Sequence, residues 1–496
     1  VMQRHLAVDI GSESGRVFVG YIQDGKVHTE ELHRFRTQFM QIHGKSVRNI
    51  YRYHEEILHA LKLYAEKYGD RLASIGVDSW GGDFVLLDRE GNISQLPTSY
   101  RSTSAGNDVA EIIEEKMGIE EVYGRTGNQA MPTDTLSQLV RLVRDRAPSM
   151  GDPHGILFMG DVYQYLLGAR PCCEHSLASY SRMYNNVKGR WDEEIMEKMG
   201  IPFTIQTPVV YAGDVIGQVD PVILEEAGIR GPVNIITPCT HDTSCAALAV
   251  PDLGEDWAFI SSGTWSLLGT ETGGPIINDL SYAGNFSNST MPLKTNMFKK
   301  NVQGMWIVQQ CKKAWKDRYS YDQLVQMAAK VTDNDVFFDV DMEPFYDPKN
   351  MAMAIADSVG RDFGVDVDWQ DAGKISRICF ESLALKYRYC FDKLLKAADK
   401  KISKIYILGG GSYNQLLNQF TADATGYPVY TGVYEGSNIG NVLLQAYGCG
   451  ELKDKREMRQ VVSNTFNKKA YYPEMTEIWN EKYRIFVERI SHKAQW

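Results

Sequence analysis

The stretch Leu6-Ala-Val-Asp-Ile10-Gly-Ser-Glu-Ser-Gly15-Arg-Val-Phe-Val-Gly20-Tyr-Ile22 reads as strand, turn, strand. An apolar run with one acid meets a turn of small and polar residues, then a second apolar run. Asp24-Gly25 marks a hairpin, and Val27 to Phe35 alternates into a third strand. The rhythm returns in the second half as Trp257-Ala-Phe-Ile-Ser-Ser-Gly-Thr-Trp265-Ser-Leu-Leu268. Each opening is followed by a helix pattern, a strand and a glycine turn. In the first half these are residues 49–68, Ala73 to Trp80 and Gly81-Gly82. In the second they are residues 371–399, Lys404 to Leu408 and Gly409-Gly410-Gly411. The period is far too long for a solenoid. The economical reading is α/β, with two related domains facing a cleft. A polar connection, Pro251 to Asp256, lies near the expected boundary. The expected divisions are 1–247, 248–455 and a helical extension over 456–496.

The length of 496 residues suits two large domains. Hydrophobic residues make up 43% and charged residues 23%, as in soluble enzymes. A net charge of −10 argues against a general nucleic-acid or membrane-surface binder. No apolar run approaches the roughly 18 residues that span a bilayer, and no signal peptide is visible. The eight cysteines form no CxxC pair, and their spacing offers no zinc site. Free thiols in a reducing cytoplasm are expected. The short basic run Lys453-Asp-Lys-Arg-Glu457 is mixed with acids and reads as a solvated face.

Several stretches carry candidate chemistry. In Asp9-Ile-Gly-Ser-Glu-Ser-Gly-Arg16, small residues let backbone N–H groups approach phosphate oxygens. Asp9 can hold Mg²⁺ directly or through water, and Arg16 can stabilise phosphate charge. The alternative is an ordinary hairpin turn with a surface arginine. Ser261-Ser-Gly-Thr-Trp265 is its counterpart, with the same alternative. Gly409 to Gln415 follows a strand and opens a helix, allowing close approach by a flat ligand or a phosphate. Thr240-His241-Asp242-Thr243 sits where a strand ends and a helix begins, the usual place for ligand chemistry in α/β folds. Asp242 there is a general base or a plain helix N-cap. Tyr51-Arg-Tyr53 and Trp80 line a sugar pocket or pack in the core. His43-Gly-Lys-Ser46 resembles the end of a P-loop, but Phe39 stands where glycine is required. Asp362-Phe-Gly364 matches a protein-kinase triplet without the catalytic loop that should precede it.

The ordered set Asp9-Ile-Gly-Ser, His241-Asp-Thr, Ser261-Ser-Gly-Thr-Trp and Gly409-Gly-Gly resembles the FGGY carbohydrate kinases, of the actin-like ATPase superfamily. Further matches are Asp78-Ser-Trp-Gly-Gly-Asp-Phe-Val-Leu-Leu-Asp88, Phe158 to Gly168 and Cys379 to Arg388. The similarity runs from residue 5 to about residue 450. It implies two actin-like (ribonuclease H-like) domains flanking a central cleft. It implies transfer of phosphate from MgATP to the C1 hydroxyl of a 6-deoxyketose, with L-rhamnulose first and L-fuculose or another ketose or polyol second. Carried over by position, Asp242 is the proton acceptor. Gly81, His241, Thr243 and Asn301 contact the sugar. Ser12, Glu13, Ser14, Gly15, Arg16, Thr264, Gln309, Gly410 and Gly411 face ATP, and Asp9 serves the metal. The expected partners are a ketose and MgATP, with no nucleic acid and no membrane, acting in a cytoplasmic monomer or homodimer. An actin-like ATPase without a sugar is the reading from another class. Glu13 beside the phosphates and Gly82 after Trp80-Gly81 depart from the pattern, where Gly82 replaces a larger apolar residue.

Overall fold

The structure, a computed structural model, describes residues 2–43, 45–98 and 106–490. Gly44 of the P-loop-like stretch and residues 491–496 of the expected extension lie outside the described residues. Two compact units emerge, and neither is one contiguous half. The first holds the chain up to Leu253, with Glu271–Phe298 and Gly436–Phe466. The second holds Gly254–Thr270, Lys299–Glu435 and the chain from Asn467.

The sheet of the first unit is built from β1 (His5–Ile10), β2 (Ser14–Gln23), β3 (Lys26–Arg36), β4 (Ser74–Ser79), β5 (Val215–Gln218) and β6 (Asn234–Ile236). Their order is β3-β2-β1-β4-β6-β5. β1 pairs antiparallel with β2 and parallel with β4, and β4 pairs parallel with β6. The second unit repeats this with β7 (Trp257–Ser262), β8 (Trp265–Thr272), β9 (Asn296–Gln303), β10 (Lys404–Leu408), β11 (Val429–Thr431) and β12 (Lys469–Tyr471). There the order is β9-β8-β7-β10-β11-β12, with a seventh strand, Ser287–Thr290, at the edge beside β9, and again with an antiparallel hairpin beside two parallel neighbours. The duplicated rhythm of the sequence is therefore a duplicated sheet.

β1 is buried along its whole length, because both faces are covered. On one face Leu6, Val8 and Ile10 join Ile57, Leu61 and Tyr64 of helix α1 (Ile50–Tyr68) in one core. Over the strands also lies a helix from far down the chain, Gly436–Gly448. Small residues admit it: a Cβ on Gly20 would stand 2.3 Å from Val442, and one on Gly76 would stand 2.9 Å from Asn441 Oδ1. This helix is buried almost all round, so its polar residues must find partners inside. Asn441 donates to Asp78 Oδ2 at 2.7 Å, and Gln445 donates to the Leu6 carbonyl at 2.9 Å.

In the basic run expected to be a solvated face, Lys453, Asp454 and Arg456 are exposed, but Lys455 turns inward. Lys455 and Arg459 grip the carboxylate of Glu271, Arg459 at 2.6 Å. Burial pushes that carboxyl up, but Arg459 and Lys455 together outweigh it and hold it at about 2. Lys455 is thus an internal tie within the first unit, since a buried carboxylate needs cations.

Gly440 packs where a Cβ would come within 2.1 Å of the Cys245 carbonyl. That oxygen is backbone and cannot swing away. Gly440→Ala is expected to cost about 1–3 kcal/mol through overpacking, read by chemical denaturation. Unchanged stability would show that the two helices have slack.

Candidate active site

Three buried devices shape the turn after β1. Thr37 Oγ1 donates to the Gly11 carbonyl at 2.8 Å, and Arg48 Nη1 donates to the Ser12 carbonyl at 2.7 Å. Thr37 N–H donates to the Glu13 carbonyl at 3.2 Å. Peptide units are planar and trans, so carbonyls drawn to one side turn the following N–H groups of Ser12 and Glu13 to the other. Successive N–H groups presented this way suit an anion. The Glu13 side chain departs from the expected pattern, but these ties all engage backbone carbonyls of the turn. Gly15 fits tightly: a Cβ there would stand 2.1 Å from the Phe35 ring.

Asp9, at 3% exposure, accepts from Arg16 at 2.6 Å and from Ser437 Oγ at 2.9 Å. Arg16 therefore neutralises Asp9. Directly across the parallel pairing of β1 and β4 lies Asp78. Burial pushes its carboxyl well above the usual range, and the charges of Asp9 and Asp242 add to this against the Asn441 hydrogen bond and Arg16. Asp78 Oδ1 is buried without a hydrogen-bond partner. Among the described residues, no group of three or more His, Cys, Asp or Glu side chains converges to ligate a metal directly. An acid at a strand end without a cage, Asp9, fits Mg²⁺ held through water, since that ion keeps most of its hydration.

Asp242 is the first residue of a short helix, Asp242–Leu248, and its N-cap is His241. The N-cap alternative for Asp242 is thus off by one residue. The Asp242 side chain is 33% exposed. Its Oδ1 accepts from the Thr243 N–H at 2.5 Å and from the Thr243 hydroxyl at 3.1 Å. Thr243 therefore holds the carboxylate. His241 is buried, stacked on Tyr180 at 5.3 Å, with Nδ1 3.3 Å from Ser289 Oγ. A Cβ on Gly81 would meet the same Tyr180 ring at 3.1 Å, so Gly81 and His241 share one aromatic neighbour. Gly82 has φ +98, a conformation that favours glycine and accounts for its replacing a larger residue. Tyr53 lies in the core near Phe35 and Tyr163, while Tyr51 is exposed.

The loop before Asp242 hangs on a carboxylate that sequence reasoning missed. Glu174 Oε2 accepts from the Thr240 N–H at 2.9 Å, from the Thr240 hydroxyl at 3.2 Å, and from both the N–H and the hydroxyl of Ser176. The Ser176 hydroxyl in turn accepts from the His241 N–H at 3.0 Å. Burial pushes the Glu174 carboxyl up, and the hydrogen bonds from Ser176 and Thr240 hold it to about 7.

The remaining candidates lie in the second unit. The Thr264 carbonyl accepts from Gly304 and Trp306 at 3.2 and 3.1 Å, joining the Ser261–Trp265 turn to the helix Trp306–Ala314, which carries Gln309. Gly411 sits on Ser262, where a Cβ would be 1.9 Å from Oγ. Gly410 is exposed, with nothing within 4 Å of an added Cβ. Thr264 and Gly411 thus lie at one turn, and Gln309 lies one turn into the helix tied to it. Asn301 lies on β9, in the strand leading to Gly304.

A fold of this kind, with a polar turn after the first strand of each sheet, is that of the sugar kinases. The gluconate kinase from Lactobacillus acidophilus matches with a TM-score of 0.82 over 98% of this chain and 97% of its own, at 13% identity. The N-terminal domain of the FGGY family of carbohydrate kinases matches residues 5–249, and the C-terminal domain matches residues 258–449. The chain belongs to that family, and it is a carbohydrate kinase, transferring phosphate to an alcohol group. It is similar over nearly its whole length to the rhamnulokinase of Bacteroides thetaiotaomicron, 36% identical across 98% of this chain and 99% of that one. It is also similar to the rhamnulokinase of Bacillus subtilis, 31% identical across 95% of each.

Glu174 links this site to pH. Its folded value of about 7 lies above the ordinary 4.5, so its contribution to stability is full below pH 4.5 and is lost as pH rises through 7. The slope between those limits is at most about 1.4 kcal/mol per pH unit. Glu174→Gln keeps an acceptor and has no proton to lose. Its stability relative to the unchanged protein is expected to rise between pH 4.5 and 7, measured by urea denaturation at stepped pH. A difference independent of pH would remove Glu174 from this role.

Proposed function

We propose that this kinase transfers the γ-phosphoryl group of ATP to the C1 hydroxyl of a 6-deoxyketose, L-rhamnulose. The observation that carries this reading is the match to a rhamnulokinase at 36% identity across 98% of the chain. The assignment of roles follows the chemistry. Asp242 is the proton acceptor, a partly exposed carboxylate braced by Thr243. Gly81, His241, Thr243 and Asn301 receive the sugar. Ser12, Glu13, Ser14, Gly15 and Arg16 receive phosphate in the first division, 1–247. Thr264, Gln309, Gly410 and Gly411 receive the nucleotide in the second, 248–455. Asp9 would hold Mg²⁺ directly or through water. All eight cysteines are free, which fits a reducing cytoplasm. No helix among the described residues is long and apolar enough to cross a membrane.

The primary hydroxyl of the sugar donates a hydrogen bond to Asp242, which takes its proton as the phosphoryl group arrives. The brace from Thr243 fixes one carboxylate oxygen, so the carboxylate meets the hydroxyl without having to reorient. The N–H groups of the Ser12–Glu13 turn offer fixed donors to the developing negative charge. Magnesium, when bound, supplies positive charge to the phosphate oxygens.

ADP release with L-rhamnulose, L-fuculose, L-ribulose, D-xylulose and glycerol, each against a blank without sugar, tests the reading. The highest kcat/KM is expected for L-rhamnulose. A signal independent of sugar would overturn the assignment. Asp242→Asn is expected to lose about 10²–10⁴ in kcat while still binding ATP. Near-normal turnover would remove Asp242 from the role.

A further inference from the structure

Arg48 ends a short hairpin, Phe39–Ile42 with Lys45–Arg48, and its side chain is 1% exposed. The guanidinium lies 3.7 Å from the centre of the Phe39 ring and 4.2 Å from that of Trp80. Its Nη1 donates to the Ser12 carbonyl at 2.7 Å and reaches the Thr37 carbonyl at 3.4 Å. Its Nε stands 3.9 Å from Asp83 Oδ2, the oxygen that accepts the Trp80 indole N–H at 3.0 Å. Thr37 is itself tied to the Gly11 and Glu13 carbonyls. One buried cation therefore touches two turns that are distant in sequence, Gly11–Ser14 and Trp80–Asp83.

A buried guanidinium is costly, and an apolar side chain would fill the same space between two rings. What an apolar residue cannot do is set the direction of a carbonyl. The peptide between Ser12 and Glu13 is planar, so the bond from Arg48 to the Ser12 oxygen also fixes where the Glu13 N–H points. The central carbon of the same guanidinium lies over the Trp80 ring, 4.2 Å from its centre, and Trp80 is the residue before Gly81. Arg48 thus contacts both the Trp80 ring and the Ser12 carbonyl. Lysine reaches the same region as a point charge, without the planar face or the fork.

We propose that Arg48 is a positioning residue that couples the two substrates: sugar seated at the Trp80–Gly81 turn fixes the guanidinium, which orients the phosphate-facing peptide of the Ser12–Glu13 turn. The inference rests on the proposed roles of these turns in sugar and phosphate binding. It makes nucleotide affinity depend on sugar, and by linkage sugar affinity depends on nucleotide by the same factor.

The test is calorimetric binding of the non-hydrolysable analogue AMP-PNP with Mg²⁺, with and without saturating L-rhamnulose, to the full chain. The unaltered protein is expected to bind the analogue at least about fivefold more tightly with sugar. In Arg48→Lys that ratio is expected to fall to within about twofold of unity. Phe39→Ala removes only the outer ring of the stack, from a residue 39% exposed, and is expected to give an intermediate ratio. It carries the test if Arg48→Lys does not fold. Equal weakening of nucleotide binding with and without sugar, leaving the ratio intact, would make Arg48 a packing residue and overturn the proposal. A ratio of unity in the unaltered protein would overturn it as well. ADP release by the unaltered protein separates the two levels: without sugar dependence the assigned function fails, whereas sugar dependence with an intact ratio in both variants sinks only the coupling.

Discussion

A line of hydrogen bonds joins the end of one helix to the middle of the first sheet. Glu451 meets His5 at 2.7 Å, His5 meets Ser74 at 2.8 Å, and Ser74 donates to Gln445 at 2.7 Å. Gln445 then donates to Asn441 at 2.7 Å, and Asn441 donates to Asp78. Most of these side chains are fully buried, so each must be satisfied where it stands. The line fixes the register of the helix Gly436–Gly448 on β1 and β4. That register carries Ser437 to Asp9, and it lays Gly440 against the Cys245 carbonyl in the helix that begins with Asp242. Asp9, Asp78 and the proposed base thus take their positions from one docked helix.

Carboxylates are the recurring material of the first unit, and burial sorts them. Glu271 has two cations and is held down at about 2. Glu174 has N–H and O–H donors but no cation, and is left near 7. Asp78 is pushed well above its ordinary range by burial first and then by a neighbouring carboxylate, against one donor. Asp161, whose Oδ1 accepts from the Glu174 N–H at 3.1 Å, is also pushed well up by burial and by Glu174. Asp242 differs in being partly open, with its brace supplied by the next residue in the chain. A group that must take a proton from a ligand needs such access, whereas groups that hold a loop in place do not.

The strand–turn–strand pairs were legible because a strand covered on both faces must be apolar throughout, and small residues must break it where the chain reverses. β1 and β7 follow this rule, β2 and β8 are buried only along their middles, and the spans read from sequence agree closely with the structure. The strand β9 gave no such signal, because Lys299, Lys300 and Asn301 interrupt its apolar pattern, although both lysines are buried. Glu174 and Arg48 were missed for a related reason. Each is an isolated charged residue in an unremarkable local pattern, and its role appears only when its partners, 66 residues away for Glu174 and Thr240 and 36 for Arg48 and Ser12, are seen to converge. Asn438, Asn441 and Gln445 offered a signal that was available: polar residues at helical spacing in an otherwise apolar helix.

By itself the sequence determined the class of fold, the repeat of its sheet, and the short segments from which a sugar kinase is recognised. These depend on local periodicity and on which residues can stand in a turn, and both are written along the chain. The tertiary structure decided which segments share a unit. Residues 271–298 and 436–466 return to the first because Glu271 requires Lys455 and Arg459, and because Gln445 and Asn441 find partners only on the first sheet. It also decided that Asp242 follows a cap rather than forming one, and that Thr243 holds it. Hydrogen bonds between residues hundreds of positions apart leave no periodic trace, so only the folded chain could reveal them.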